Sequence, residues 1–427
     1  MNHQNLDISY NRAQLTRCFA HLHDQREWMK AVVAHHLGLK SSDEYYVAGV
    51  SSWLHGSFNV CIPIIVKSWK GKRVLLRFPL PYRVGESFRP GNCDEKVQCK
   101  AGAYAWIQNN CSDVPIPKIY GFALSSGETF TRLESLSFIS RCFQLLRQSI
   151  LSLLNGSVPS NYAHHQSRCS IFTGSTMKVG YLLIEFIEET RGKTFFHDLS
   201  RIFLNITRFP LPRVGSFVID MNGSLRLTNR PLSVEIQQLE NENIPTEISR
   251  DYTYLTADSY ITDLSVLTAM RTIFHSIFDR GFRRGPFVFD FTDIHQSNIF
   301  VDAEWHITCL VDLEWACTQP IEMLGPLSWL SDKAPVDPGP LRPRLTNLME
   351  RSWEKGAFWY SLALSSPSGL FTIFTKHIKP LFCKEFDEEF EVVMPFFFEK
   401  NIGNIAGRKL ADKKAYDKDL WQAFNEN

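Results

Sequence analysis

The sequence has no Cys-x-x-Cys pair, no basic run and no stretch approaching the ~20 apolar residues that span a bilayer. Its ten cysteines are scattered from Cys18 to Cys383, which argues against a zinc ribbon or a thioredoxin-type motif. The formal net charge is only +1, which gives no support for a general nucleic-acid or anionic-membrane partner but leaves room for a local basic pocket. The opening MNHQNLDISYNRAQ lacks the apolar core of a secretory signal, and a reduced, cytoplasmic setting is the expectation. The expected partner is a small molecule, with neither nucleic acid nor membrane, and nothing in the sequence sets an oligomeric state.

What is present is a packed chain. Hydrophobic residues make up 44% of 427, with 32 Phe. That length exceeds what one compact core usually holds, so two lobes are expected. Residues 8–35 read as one or two helices. From Tyr45 the runs YYVAGVSSWL, VCIPIIV and RVLLRFPL, broken by Gly-containing turns, read as antiparallel strands. Pro63 belongs at a bulge or sheet edge, because it cannot donate to a ladder. DEKVQCKAGAYAWIQNN reads as a helix with Asp94 and Glu95 in its first turn. Between Ser-rich ends at 125–180, Leu136, Ile139, Phe143, Leu146, Ile150 and Leu153 recur at helical steps and predict an amphipathic helix, expected to pack as an insertion, with a binding stripe as the alternative. YLLIEFIEET reads as a buried strand, and Asn222-Gly223 predicts a two-residue hairpin loop.

The chemistry concentrates in Phe287–Ala316, FVFDFTDIHQSNIFVDAEWHITCLVDLEWA. Asp293, Asn298 and Asp312 each stand at the edge of an apolar strand and can converge on one point. Phosphoryl transfer needs such a set: a carboxylate to accept the proton of an attacking hydroxyl, and hard oxygen ligands for Mg²⁺ against nucleotide phosphates. A pair of turn-capping aspartates is the plainer alternative.

The order Phe291-Thr292-Asp293, His295 through Asn298, then Val311-Asp312-Leu313-Glu314-Trp315-Ala316 resembles the aminoglycoside phosphotransferase-like branch of the protein-kinase-like superfamily, in particular its fungal members. VPIPKIYGF, YLLIEFIEE and LPRVGSF extend the likeness over roughly residues 45–330. The resemblance implies an α+β, two-lobed protein-kinase-like fold, with a β-rich N-lobe and a mainly helical C-lobe. It divides the chain into an N-terminal helical extension at 1–44, an N-lobe at 45–190 with an insertion at about 125–180, a C-lobe at 191–398 and a polar tail at 399–427. It implies ATP or GTP and Mg²⁺ as cofactors, and transfer to a small hydroxyl- or amine-bearing molecule.

Residue by residue, Asp293 becomes the catalytic base, and Asn298 and Asp312 the metal ligands. Gly56 and Ser57 fall in the turn over the phosphates, although a plain hairpin fits them equally. Arg77 falls at the phosphate-binding base, and Glu185, Phe186 and Ile187 at the adenine hinge. If the acceptor is polycationic, Glu314, Glu322, Asp332 and Asp337 are candidates to face it.

The sequence departs from the pattern in three ways. Lys100 occupies the helix position where the family pairs a Glu with its phosphate-binding base, so two cations would face each other and repel. Glu95, five residues earlier and roughly 500° around the helix, is no simple substitute. Phe291 replaces a usual His, and the segments near 192–198 and 258–267 look short. A pseudokinase acting as a nucleotide-binding or scaffold protein is therefore the alternative to a kinase, and the same fold can also carry other chemistry.

Overall fold

A computed structural model of the chain describes residues 3–39, 45–67, 69, 73–155, 158–166, 179–187, 195–241, 243, 246, 248–264, 268–302, 305–324, 343–365 and 373–382. The fold is α+β, and the chain divides into two compact units. The first comprises residues 1–255 and 285–319, the second residues 256–284 and 320–427. Neither division falls at the expected lobe boundary near residue 190, and the segment 287–316 belongs to the first unit. The expected tail, and Asp332 and Asp337, lie outside the described residues, as do parts of both segments expected to be short.

The first unit opens with two helices, α1 (His3–Asp24) and α2 (Arg26–Leu37), ended by Gly38 at φ 65°. Then come β1 (Tyr45–Val47), β2 (Leu54–His55), β3 (Asn59–Val66), β4 (Arg73–Pro79) and helix α3 (Asn92–Asn110). Next are β5 (Ile119–Ala123), β6 (Glu128–Arg132), helix α4 (Phe138–Asn155), β7 (Val158–Pro159), β8 (Tyr162–Gln166) and β9 (Tyr181–Glu185). One sheet runs β1-β3-β4-β9-β5-β6-β8, with β2 paired to β3. YLLIE is thus an inner strand, bonded to β4 on one side and β5 on the other.

Alternation along β3 and β4 decides the packing. Val60, Ile62, Ile64, Val66, Val74, Leu76 and Phe78 turn to one face, where they pack with Leu22, Met29, Val32, Val33 and Leu37 of the N-terminal helices. Those helices are therefore half of a core rather than an appendage. Arg77, between Leu76 and Phe78, points to the opposite face, toward α3.

Pro63 stands inside β3, at neither an edge nor a bulge. Its carbonyl accepts from Ala48 N at 3.0 Å, so its imide nitrogen looks to the same side. There β1 pairs with Ile64–Val66 and β2 with Val60–Cys61, leaving a gap at residue 63 that needs no donor.

Helix α4 corrects an expectation. Its polar face turns inward, with Gln148 buried and donating to the carbonyl of Ser160 at 2.9 Å. Phe138, Ile139, Phe143, Leu146 and Leu153 are exposed, so the helix forms but does not pack on its apolar stripe.

The rest of this unit holds α5 (Phe195–Ile206), β10 (Ser216–Ile219), β11 (Ser224–Asn229), α6 (Val234–Asn241), β12 (Phe287–Phe291), β13 (Ile299–Val301), β14 (Ile307–Leu310) and β15 (Ala316–Pro320). The β10–β11 hairpin forms as expected, with a longer loop. Gly223 N donates to Asp220 O at 2.9 Å, and Gly223 closes the turn at φ 74°, so Met221 and Asn222 are central and the glycine supplies the left-handed residue. Trp106 stacks on Phe289 at 4.5 Å and on Phe217 at 5.6 Å, which fixes α3 against β12 and β10.

The second unit packs the helices Ala257–Leu264, Thr268–Ile277, Pro343–Lys355 and Ala357–Leu364. Tyr360 donates to the carbonyl of Met270 at 2.9 Å. Glu322 is buried here and accepts from Asp279 N at 2.9 Å, so it is a structural group rather than an acid facing solvent.

Candidate functional site

A cleft of about 390 Å³ in the first unit collects residues from four parts of the chain. Its lining includes Gly56 and Ser57 of the β2–β3 turn, Asn59 and Arg77 of the sheet, and Asp293, Asn298, Asp312 and Glu314 of the segment 287–316. Six of the nine residues expected from the sequence to serve as base, metal ligand or nucleotide contact are therefore brought together. Glu185, Phe186 and Ile187 do not line it. Glu185 accepts from Lys118 N at 3.1 Å, and Phe186 lies under Arg73 at 4.3 Å.

Local hydrogen bonds hold the acidic side of the cleft. Strand β12 delivers the chain to Thr292, whose N–H donates to Trp315 O at 3.0 Å. Asn298 spends its amide NH₂ on the carbonyl of Asp293 at 3.1 Å, which leaves its own side-chain oxygen as an acceptor. Val311 N donates to Asn298 O at 2.9 Å and brings Asp312 alongside. Asp312 has φ 62°, an uncommon conformation for any residue but Gly, Asn or Asp. Among the described residues only Asn243, Trp305 and Asp312 are non-glycine and have positive φ.

On the other side, β2 and β3 form a tight hairpin in which Gly56 N donates to Asn59 O at 3.0 Å. Nothing within 4 Å of Gly56 would meet an added Cβ, and its φ is not positive. Neither packing nor backbone strain demands glycine there, and a ligand could approach that backbone closely.

At the base of the cleft lies a cluster the sequence reading only half foresaw. Glu314, 2% exposed, accepts from Asn59 Nδ2 at 2.7 Å, Lys96 Nζ at 2.8 Å, Lys100 Nζ at 3.2 Å and Arg77. Arg77 also holds Asp312, and Lys100 Nζ lies 3.6 Å from that carboxylate. The expected repulsion between Arg77 and Lys100 is absent, because Glu314 and Asp312 stand between them. Glu314 is therefore an internal counter-ion, not a residue facing an acceptor. Lys96 also lies 3.9 Å from the centre of the Trp315 ring and 4.6 Å from that of Phe58, a desolvated cation on two aromatic faces.

The electrostatics follow from this geometry. Burial alone would raise the Glu314 carboxyl, but Arg77, Lys96 and Lys100 hold it well below the usual range. Burial would lower Arg77, yet Asp312 and Glu314 leave it raised. Burial brings Lys96 down to about 8 against the pull of Glu314. Asp312 is raised, first by burial and against Arg77. Asp293 is raised by burial, then lowered by His295 and raised by Glu314 and Asp312.

Two features lay beyond the sequence reading. Lys96 and Lys100 sit one turn apart on α3, and that i, i+4 spacing was a readable signal for a shared target. Glu235, in the first turn of α6, is pushed up to about 6 by burial, with Asp293 among the charges raising it. No sequence pattern connects it to Asp293.

The donor types suit a hard cation only in part. Asn298 Oδ1 and the Asp312 carboxylate are oxygen donors of the kind Mg²⁺ shares with phosphates, but Asp312 is already held by Arg77. Among the described residues no group of three His, Cys, Asp or Glu side chains could hold a metal by itself. Phosphates suit the opposite side. Three cations face two carboxylates at the base, and the buried Arg77 Nε has no hydrogen-bond partner among the described residues.

No protein-family model, no curated protein and no solved structure matches this chain.

Proposed function

We propose that the chain is a phosphotransferase of two-lobed, protein-kinase-like build, which moves a phosphoryl group from ATP or GTP to a small hydroxyl- or amine-bearing molecule. The observation that carries this reading is the shared cleft: the Gly56-Ser57 turn, Arg77, Asp293, Asn298 and Asp312 are up to 256 residues apart in sequence and line one cavity. Further support comes from the helix after β4, which carries Lys100 to the Arg77 side of the sheet, and from the excess of positive charge at the cleft base.

In this reading the cations of the cleft base attract the phosphates. Asp293 orients the acceptor hydroxyl or amine and takes its proton, and the rise that burial gives its pKa makes it a stronger base than an exposed aspartate. Mg²⁺, when bound, would neutralise phosphate charge, held by Asn298 and Asp312. Freeing Asp312 for that role moves Arg77 wholly onto Glu314.

A second reading, nucleotide binding without turnover, is favoured by one observation: Arg77 and Asp312 already neutralise each other. The two separate in one experiment. Purified protein with Mg·ATP and a panel of hydroxylated and amine metabolites is assayed for phosphorylated product and, in parallel, for a rise in melting temperature. Product supports the kinase, and a rise without product supports the binding protein. Neither effect removes both readings.

A further inference from the structure

Helix α4 is turned inside out. Its polar side chains hold it to the body, through Gln148 to Ser160 O at 2.9 Å and Arg147 to Asn222 at 3.1 Å. Its apolar side chains project outward, with Phe138 82%, Ile139 81% and Leu153 86% exposed. At 100° per residue, Phe138, Ile139, Phe143, Leu146, Leu153 and Leu154 share a sector of roughly 160°. Exposures this high describe a convex ridge, without the walls of a groove. A patch of this kind marks an interaction surface.

Charge selects the occupant. The 18 residues FISRCFQLLRQSILSLLN include no Asp or Glu, and their only charges are Arg141 and Arg147. On the helical wheel Arg147 borders Leu154 at one edge of the apolar sector, and Arg141 lies beyond Phe138 at the other. A second copy docked on this face would bring arginines to arginines with no acid on the helix to pair them. Cations rimming a convex apolar stripe suit a surface that is apolar inside and anionic at its boundary.

We propose that α4 docks this protein on the surface of an anionic lipid bilayer. The helix lies in the interface plane with its stripe among the acyl chains and the exposed Arg141 free to reach the headgroups, while Arg147 keeps its bond to Asn222. It does not cross: among the described residues no helix is long and apolar enough to span a membrane. The expectation of no membrane partner rested on the net charge of the whole chain, which hides this local arrangement.

The test is co-sedimentation of the full chain with vesicles of phosphatidylcholine alone and of phosphatidylcholine with phosphatidylserine. Binding is expected to the anionic vesicles and to weaken with added salt. Leu146→Asp with Leu153→Asp is expected to lower the bound fraction about tenfold or more. Arg141→Gln is expected to lower it about fivefold on anionic vesicles only. Both variants change exposed positions, and an unchanged melting temperature confirms that they fold. Absence of binding overturns the proposal, as does binding that the Asp pair leaves unaltered. Sedimentation velocity adds a third outcome: a concentration-dependent dimer that dissociates in the Asp pair would give the face to a second copy and overturn the lipid assignment.

Discussion

Lys100 Nζ and the Glu314 carboxylate stand 3.2 Å apart in the interior of the first unit, and this contact turns an apparent defect of the site into a supported one. Replacing Lys100 by Glu, to put a carboxylate on α3 beside Arg77, would set a third carboxylate against Glu314 and Asp312. Lys100→Glu is expected to lose stability without gaining turnover. Urea denaturation compared with Lys100→Met separates lost packing from added repulsion; Lys100→Glu should be the weaker of the two. A Lys100→Glu protein as stable as the parent and more active would refute this account.

Glu314 pairs with three buried cations. Glu314→Gln keeps the shape and removes the charge, leaving Arg77, Lys96 and Lys100 with Asp312 alone. Breaking a buried pair in this way costs about 3–5 kcal/mol, which a denaturant titration reads directly. Glu314→Asp should recover part of that loss.

Asp312→Ala is expected to abolish stabilisation by Mg·ATP. A ligand that binds only the folded state adds about 2.7 kcal/mol at a hundredfold excess over Kd, so the parent's melting temperature should rise and the variant's should not. A rise in both would move the nucleotide away from Asp312.

Asp293→Asn is expected to keep nucleotide affinity while turnover falls by a factor on the order of 10² to 10⁴. Because burial raises the carboxyl, the acid limb of the parent's pH–rate profile should be displaced upward from that of an unperturbed aspartate. Equal losses of binding and turnover would make Asp293 structural instead.

Three histidines meet on Thr131: His36 at 2.8 Å, His165 at 2.9 Å and His35 at 3.4 Å from its hydroxyl. Burial lowers all three, His165 to about 4. Histidines kept neutral in the fold but free to charge on unfolding cost nothing above the unfolded value near 6.5, and they destabilise progressively as pH falls from there toward about 4. Urea midpoints at neutral and acidic pH should show a smaller acid loss in His165→Gln than in the parent.

The local order of the chain was readable where one residue type does one job. The strands from Tyr45 to Pro79, the inner strand Tyr181–Glu185 and the Asn222-Gly223 hairpin follow from alternation and turn chemistry. The convergence of Asp293, Asn298 and Asp312 was readable from their places at strand ends. The Glu314 cluster was not, because it joins β3, β4, α3 and the segment after β14, and ion pairing across such separations leaves no period in a sequence. Helix α4 shows a different limit: periodicity reveals that an apolar face exists, but not whether the body or the surroundings will cover it.

The N-terminal helices carry a practical consequence. Because α1 and α2 close one face of the main sheet, a chain begun at Tyr45 would lay bare Val60, Ile62, Ile64, Val74, Leu76 and Phe78, all fully buried in the intact protein. Trimming to the region that resembles a kinase would leave an adhesive slab of β-structure and give self-associating material in place of a minimal catalytic core.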